Sequence, residues 1–159
     1  LKVSIRRTKV RKNPPHRTKE IPNFAVELIL TLSKMKKAIA TSQAPAAIGP
    51  YSQAIEAGGM VFVSGQLPID PATGAIVDGG IKEMTHRSLT NIKNILAEAG
   101  LTMDNVVKTT VLLADIDDFA EMNEAYASYF PGTAPARSAF AVKDLPKGAR
   151  LEIECIAAR

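Results

Sequence analysis

The sequence is poor in the residues that bind metals and form disulfides. It has one cysteine, Cys155, and two histidines, His16 and His86, among 159 residues. A single cysteine excludes an intrachain disulfide, and its place in an apolar run predicts a small buried side chain. The histidines are far apart in sequence and none of the usual spacings of zinc ligands occurs, so we expect no metal site. His86 lies off the apolar stripe of its predicted helix and is expected to face solvent.

Long apolar runs are also missing. The apolar segment Phe24–Leu32 contains Glu27 and is about nine residues long, whereas a helix that spans a bilayer needs about 20. The charged stretch before it is too long for a secretory signal, and no small-residue cleavage site follows cleanly. We therefore expect no membrane partner and a cytoplasmic location, or an organellar one if the N-terminal segment is a transit peptide.

The excess of positive charge is confined to the first 34 residues. Leu1–Lys34 carries nine Lys/Arg and two Glu, a net charge of +7, whereas Met35–Arg159 carries 11 Lys/Arg and 14 Asp/Glu, a net charge of −3. The basic segment has three interpretations: upstream sequence outside the working protein, an Arg-rich organellar leader, or a genuine basic arm. We leave residues 1–34 out of the fold and predict one domain at residues 35–159.

Hydrophobic patterning predicts an α+β domain of six strands and two helices. Gly100 follows the first helix, where a left-handed cap belongs, and Asp117 is the expected N-cap of the second. The predicted elements are strands Lys37–Thr41, Ser52–Glu56, Met60–Val63, Asn105–Ala114, Arg137–Val142 and Arg150–Ala158, a helix at 80–99, and a second helix with the core stripe Phe119, Met122, Tyr126 and Tyr129.

Two helices can cover only one face of such a sheet. Met60–Val63 and Val111–Leu113 are apolar on both faces, and a strand without a polar face must be covered on both sides. We therefore expect the second face to pack against other subunits in an obligate oligomer, which would permit a site shared between chains.

Two charged residues occur on the last two predicted strands, which a Leu-Pro-Lys-Gly turn joins. Arg137 lies in an apolar run, and Glu152 alternates with Leu151, Ile153 and Cys155, so it points to the opposite face of its strand. If the strands pair or lie side by side, Arg137 can bind a substrate carboxylate while Glu152 handles protons. The alternatives are a structural ion pair for Arg137 and a solvated strand face for Glu152.

From Met35 to Arg159 the sequence resembles the RidA (YjgF/UK-type) family of reactive enamine/imine deaminases. Each matching motif alone is weak, but six in the right order are specific. The matching segments are AAIGPYSQA at 46–54, VSGQLP at 63–68, VKTTV at 107–111, DFAEMNEAY at 118–126, PARS at 135–138 and EIE at 152–154.

The resemblance implies a chorismate-mutase-like fold, a single mixed six-stranded sheet with two helices on one face, assembled as a homotrimer with active sites between subunits. It implies hydrolysis of 2-aminoacrylate, 2-aminocrotonate and their imines, released by pyridoxal-phosphate enzymes, to 2-oxo acids and ammonia. No cofactor is expected.

The resemblance also implies roles for particular residues. Arg137 matches the arginine that holds the substrate carboxylate, and Glu152 matches the acid that positions or activates water. Tyr51, Ser64 and Asn123 match residues that line the same pocket. Family members often have cysteine two residues after the arginine, where this chain has Ala139, so a thiol nucleophile cannot be needed and only the backbone there can contribute.

Two other function classes remain open at the level of sequence. Some relatives carry the label of ribonuclease or translation inhibitor. Residues 35–159, however, are net acidic and lack the clustered Lys/Arg that bind phosphates. We therefore do not expect nucleic acid as a partner of these residues. The third interpretation is a non-catalytic binder that holds a 2-oxo acid in the same pocket.

Overall fold

The computed structural model of the chain describes residues 35–159. These residues form one mixed six-stranded sheet with two helices packed on one face, which confirms the predicted α+β class and element order. The basic segment 1–34 lies outside the described residues. The strands are β1 (Lys37–Ile39), β2 (Ala54–Ala57), β3 (Met60–Gln66), β4 (Val106–Leu113), β5 (Ala136–Ala141) and β6 (Leu151–Ala158), and the helices are α1 (Ile81–Glu98) and α2 (Phe119–Ala127).

The sheet has the strand order β1-β2-β3-β6-β4-β5. Neighbouring strands are antiparallel except β4 and β5, which are parallel. A tight turn at Gly58 and Gly59, with φ of 59° and 76°, joins β2 to β3 as the glycine pair predicts. The last two strands neither pair nor lie side by side, because β4 lies between β5 and β6, so the condition set for Arg137 and Glu152 to act together is not met within one chain.

The first helix follows its prediction closely. Leu89, Ile92 and Leu96 are fully buried against the sheet, and the helix ends just before Gly100, whose φ of +72° is the left-handed conformation of a helix C-terminus. Apolar side chains at three- and four-residue spacing therefore bury one stripe of α1 in the core.

The start of the second helix differs from its prediction. Asp118, not Asp117, is the N-cap residue of α2, and its side chain makes no capping hydrogen bond. The side-chain cap lies one turn earlier, where the carboxylate of Asp115 accepts a hydrogen bond from the backbone N–H of Asp117 at 3.0 Å. This cap begins the single 3₁₀ turn Ile116–Asp118, and α2 starts only at Phe119. The extra tight turn moves the side-chain cap two positions upstream of Asp117.

The two faces of the sheet differ in burial. Val61, Leu113 and Ile153 point toward the helices and are fully buried. On the opposite face Phe62 is 45% exposed and Phe140 is 48% exposed. Residues 35–159 of one chain therefore leave apolar side chains of the second face uncovered.

Candidate functional site

A cleft of about 620 Å³ opens where the C-terminal end of β3 lies beside the N-terminal end of β6. It brings together three of the residues singled out in the sequence: Tyr51, Ser64 and Glu152. Apolar side chains surround them, and among residues 35–159 Lys147 is the only basic side chain that lines the cleft. The remaining lining residues are Pro45, Ala46, Ile48, Gly65, Gln66, Leu67, Ile69, Pro71, Gly74 and Pro146.

The carboxylate of Glu152 lies directly against Gly65. A Cβ atom added at Gly65 would overlap Oε1 of Glu152 and would lie 2.6 Å from its carboxyl carbon. The close approach occurs where β3 has one residue more than β6 between paired positions, since Val63 pairs with Cys155 and Gln66 with Ile153. Such a bulge re-aims side chains, and a glycine in a strand interior is its usual sign.

Burial controls the acidity of Glu152. Removal from solvent, and secondly the negative charge of Glu154 two residues along β6, raise the pKa of the Glu152 carboxyl above its ordinary value. A carboxylate with a raised pKa is a stronger base, which suits it to take a proton from water near neutral pH.

Ser64 and Tyr51 line the cleft in different ways. The hydroxyl of Ser64 donates a hydrogen bond to the backbone carbonyl of Ser52 at 2.7 Å, so this side chain also tethers the loop before β2. Its oxygen remains able to accept a hydrogen bond from a ligand. Tyr51 is 50% exposed, and within residues 35–159 its hydroxyl forms no hydrogen bond.

Arg137 lies in a different place, under α2. Its guanidinium carbon is 4.6 Å from the ring centroid of Tyr126 and 5.5 Å from that of Phe119. Asn123 occupies the helical position between those two rings, four residues after one and three before the other, and is therefore on the same face of α2. Ala139 follows on β5 and packs, half-buried, against the core.

The two groups of residues are far apart within one chain. Arg137 pairs with Thr109 on β4, and Thr109 in turn pairs with Cys155 on β6. Cys155 is three residues after Glu152 along β6. With about 3.3 Å per residue along a strand and about 4.8 Å between strands, the Cα atoms of Arg137 and Glu152 are about 14 Å apart. Their side chains also point to opposite faces, since Arg137 contacts α2 while Glu152 alternates with the buried Leu151. One small substrate cannot contact both in a single chain.

The structure adds residues that the sequence analysis did not single out. Gly65, Gln66 and Lys147 line the cleft with Glu152. The glycine inside β3 was the available signal for a close approach of another group. Lys147 has φ of 58°, an unusual conformation for a residue with a side chain, and that conformation has no marker in the sequence.

Cys155 and His86 belong to neither group. Cys155 is 3% exposed, which confirms the predicted buried thiol, and burial raises its pKa to about 12. His86 is exposed on α1 as predicted. Among residues 35–159, no three His, Cys, Asp or Glu side chains are grouped so that they could hold a metal ion. Nor does that part of the chain contain a helix long and apolar enough to cross a membrane.

The chain matches the family model described as Endoribonuclease L-PSP over residues 41–159. It is 51% identical over 125 residues to the mouse protein named 2-iminobutanoate/2-iminopropanoate deaminase, covering 79% of this chain and 93% of that one. It is 47% identical over 136 residues to the Arabidopsis thaliana protein named Reactive Intermediate Deaminase A, chloroplastic, covering 86% of this chain and 73% of that one.

Solved structures have the same fold. The crystal structure of yeast Mmf1 superposes with a TM-score of 0.76 at 43% identity, covering 79% of this chain and 99% of that one. The crystal structure of E. coli TdcF with bound serine superposes with a TM-score of 0.74 at 45% identity, covering 77% of this chain and 98% of that one.

Proposed function

Because the chain belongs to the Endoribonuclease L-PSP (YjgF/RidA) family, we propose that it is a deaminase of reactive 2-imino and 2-enamino acids. Its substrates are 2-aminoacrylate, 2-aminocrotonate and their imines, and its products are a 2-oxo acid and ammonia. The observation that carries the proposal is the identity of about half of all aligned residues to proteins named 2-iminobutanoate/2-iminopropanoate deaminase, over more than nine-tenths of their length.

The proposed mechanism uses one cation and one carboxylate. Arg137 binds the substrate carboxylate through paired N–H donors. Glu152 accepts a proton from water while the water oxygen bonds to C2 of the iminium, giving a carbinolamine. Glu152 returns that proton to the amino group, the C–N bond breaks to release ammonia, and the hydroxyl proton passes to the ammonia. One iminium and one water thus give one 2-oxo acid and one ammonium ion. Orientation and proton transfer are the two contributions of the protein.

The same geometry supports a site shared between chains. A four-carbon substrate spans about 5 Å, given carbon–carbon bonds of about 1.5 Å, which is far less than the distance between Arg137 and Glu152 in one chain. We propose a homotrimer in which Arg137 of one copy faces the cleft of the next, with Phe62 and Phe140 covered between copies. Closed rotational symmetry forms such a site at every interface. Light scattering of the full chain should give the mass of three copies.

The first experiment couples a serine or threonine dehydratase to the full chain, with semicarbazide present to trap free imine. The wild type should divert imine from the trap to the 2-oxo acid, and Arg137→Ala should not. Lys93→Ala removes an exposed cation of α1 and should behave as wild type. Failure of the wild type to divert imine would end the proposal. Normal activity in Arg137→Ala would end the role of that residue.

The name of the family, Endoribonuclease L-PSP, favours one second candidate, an RNA-directed activity. The net charge of −3 on residues 35–159 opposes binding to phosphates. Gel-shift titrations with RNA, on the full chain and on a chain that starts at Met35, separate the candidates. RNA binding that survives removal of residues 1–34 would favour the RNA-directed activity. Saturable binding of a 2-oxo acid without turnover of imine would instead favour a non-catalytic binder.

We propose that the protein is located in the cytoplasm. The alternative is an organelle, and residues 1–34 determine which of the two locations applies. The Arabidopsis relative is named chloroplastic. The basic, acid-poor composition of residues 1–34 is typical of transit peptides. A fluorescent protein fused behind residues 1–34 should stay in the cytoplasm, and import into an organelle would establish the alternative.

A further inference from the structure

Arg137 is charged and half-buried, yet its guanidinium has no polar partner among residues 35–159. Each ion pair of that region joins other residues, and no side-chain or backbone oxygen there accepts a hydrogen bond from Arg137. The groups it does contact are the rings of Tyr126 and Phe119, with Tyr126 the nearer at 4.6 Å. An aromatic face attracts a cation electrostatically. It does not accept hydrogen bonds from the N–H donors that lie in the plane of the guanidinium.

The ring of Tyr126 is itself fixed. Its hydroxyl and that of Thr109 form a buried hydrogen bond of 2.7 Å, and the two residues are 6% and 1% exposed. The ring also packs against Phe130 with 4.8 Å between centroids. Burial raises the pKa of the Tyr126 hydroxyl, so the ring stays a neutral phenol.

Thr109 connects this ring to the strand of the arginine. Thr109 on β4 and Arg137 on β5 are paired positions of two parallel strands, and both face α2. The hydrogen bond between Thr109 and Tyr126 therefore holds the Tyr126 ring above the strand pair, at the level of Arg137 on β5.

We propose that Tyr126, held by Thr109, is a positioning residue that orients Arg137 for the substrate carboxylate. This inference rests on the proposed function, since it takes Arg137 as the carboxylate anchor. The aromatic face offsets the half-buried positive charge and leaves the five N–H donors of the guanidinium available to a ligand. An acidic partner would offset the charge equally well but would compete with the substrate for those donors.

The test compares three variants of the full chain in the imine-trapping assay. Tyr126→Leu removes the ring and should raise KM about 10-fold, the size expected for a partly desolvated cation–π contact. Its kcat should change little, because the contact orients a group that binds ground state and transition state alike. Tyr126→Phe keeps the ring and should retain most of the affinity. Thr109→Val should resemble Tyr126→Phe, and the double variant should be no worse than either, since both remove one hydrogen bond.

A matched control exists in the same helical layer. Thr90 and Tyr129 form a second threonine–tyrosine hydroxyl pair at 3.0 Å, but no cation–π contact joins Tyr129 to Arg137. Thr90→Val, Tyr129→Phe and Tyr129→Leu should leave KM unchanged, and Tyr129→Leu is the match for Tyr126→Leu. An equal rise of KM in these controls would mean a merely structural effect and would overturn the inference.

An NMR measurement reads the contact independently of turnover. The Nε–H resonance of Arg137 should be shifted upfield by the ring above it, should keep that shift in Tyr126→Phe, and should lose it in Tyr126→Leu. A folded Tyr126→Leu with unchanged KM and resonance would overturn the inference while the deaminase proposal stands. If Tyr126→Leu does not fold, an Arg137 resonance without an upfield shift in the wild type would overturn it instead. Full activity in Arg137→Ala would remove the premise that Arg137 binds the substrate carboxylate.

Discussion

At the scale of single residues, the carboxylate of Glu152 depends on the absence of a side chain at Gly65. The space that a Cβ would fill is taken by the carboxyl group. The φ of Gly65 lies outside the left-handed region, so this glycine serves a close approach and not a special backbone conformation.

Gly65→Ala should therefore displace the Glu152 carboxylate without straining the backbone. Since displacements of about 1 Å cost about 100-fold in rate, we expect kcat/KM for imine hydrolysis to fall by about that factor. The melting temperature should change little, because the end of a flexible side chain can move aside. Gly132→Ala is the control, since a Cβ there would meet nothing within 4 Å. Wild-type kcat/KM in Gly65→Ala would contradict the assigned role of Glu152.

The acidity of Glu152 gives a pH-dependent prediction. Burial and Glu154 raise the pKa of the Glu152 carboxyl, so the acid limb of kcat/KM should lie above the ordinary pKa of glutamate. Glu154→Gln removes the repelling charge and should move that limb to lower pH, whereas Glu121→Gln on the exposed face of α2 should not. An unchanged acid limb of kcat/KM in Glu154→Gln would mean that a group other than Glu152 determines that limb.

The same shift has a consequence for stability with a definite sign. A carboxyl whose folded-state pKa is raised stabilises the fold when it is protonated. The contribution of Glu152 is therefore present at low pH and is lost as pH rises through its folded-state pKa.

At the scale of elements, the loop before β2 depends on one buried glutamine. The Nε2 group of Gln53 lies 3.0 Å, 3.1 Å and 2.8 Å from the carbonyls of Thr41, Ala44 and Pro45, and its Oε1 accepts from the N–H of Thr41 at 2.6 Å. Pro45 and Tyr51, on either side of the loop, line the cleft. A single side chain thus fixes one wall of the candidate site.

Gln53→Ala should release this loop. It leaves buried carbonyls without a donor, so we expect a loss of about 1–3 kcal/mol in the free energy of unfolding together with a raised KM. Denaturant unfolding measures the free energy, the imine-trapping assay measures KM, and hydrogen exchange of residues 41–46 reports the release of the loop. Gln43→Ala removes an exposed glutamine of the same loop and should change neither. Unchanged exchange in Gln53→Ala would show that the loop is held by other contacts.

At the scale of the whole molecule, the two halves of the candidate site lie on opposite faces of one sheet. In the proposed homotrimer, one event, the association of copies, would both bury the second face and complete the site. This coupling predicts that two inactive variants can restore activity to each other.

Arg137→Ala and Glu152→Gln should each be inactive alone and active when assembled together. In a trimer formed at random from equal amounts, about a quarter of the sites receive an intact arginine from one copy and an intact glutamate from its neighbour. Co-expressed chains with different tags should therefore show about a quarter of the wild-type activity. A chain that carries both substitutions, co-expressed with Arg137→Ala, is the inactive control. No recovery in the mixed trimer would mean that the two residues do not act across an interface.

The sequence by itself determined the elements and their partition into core and surface. Apolar spacing placed α1 and the strands within a few residues, and the glycines at 58, 59 and 100 marked turns and a helix end, because backbone conformation and burial are local preferences. The motifs also named Tyr51, Ser64 and Glu152, which the fold brings to one cleft.

Only the tertiary structure decided which elements are neighbours. β6 comes last in the chain but lies between β3 and β4, so the short turn after β5 does not make β5 and β6 partners. Strand order depends on long-range pairing that no local pattern encodes. That order, together with the alternation of side chains along each strand, puts Arg137 and Glu152 on opposite faces. It also puts the Tyr126 ring over Arg137 and the carboxylate of Glu152 against Gly65.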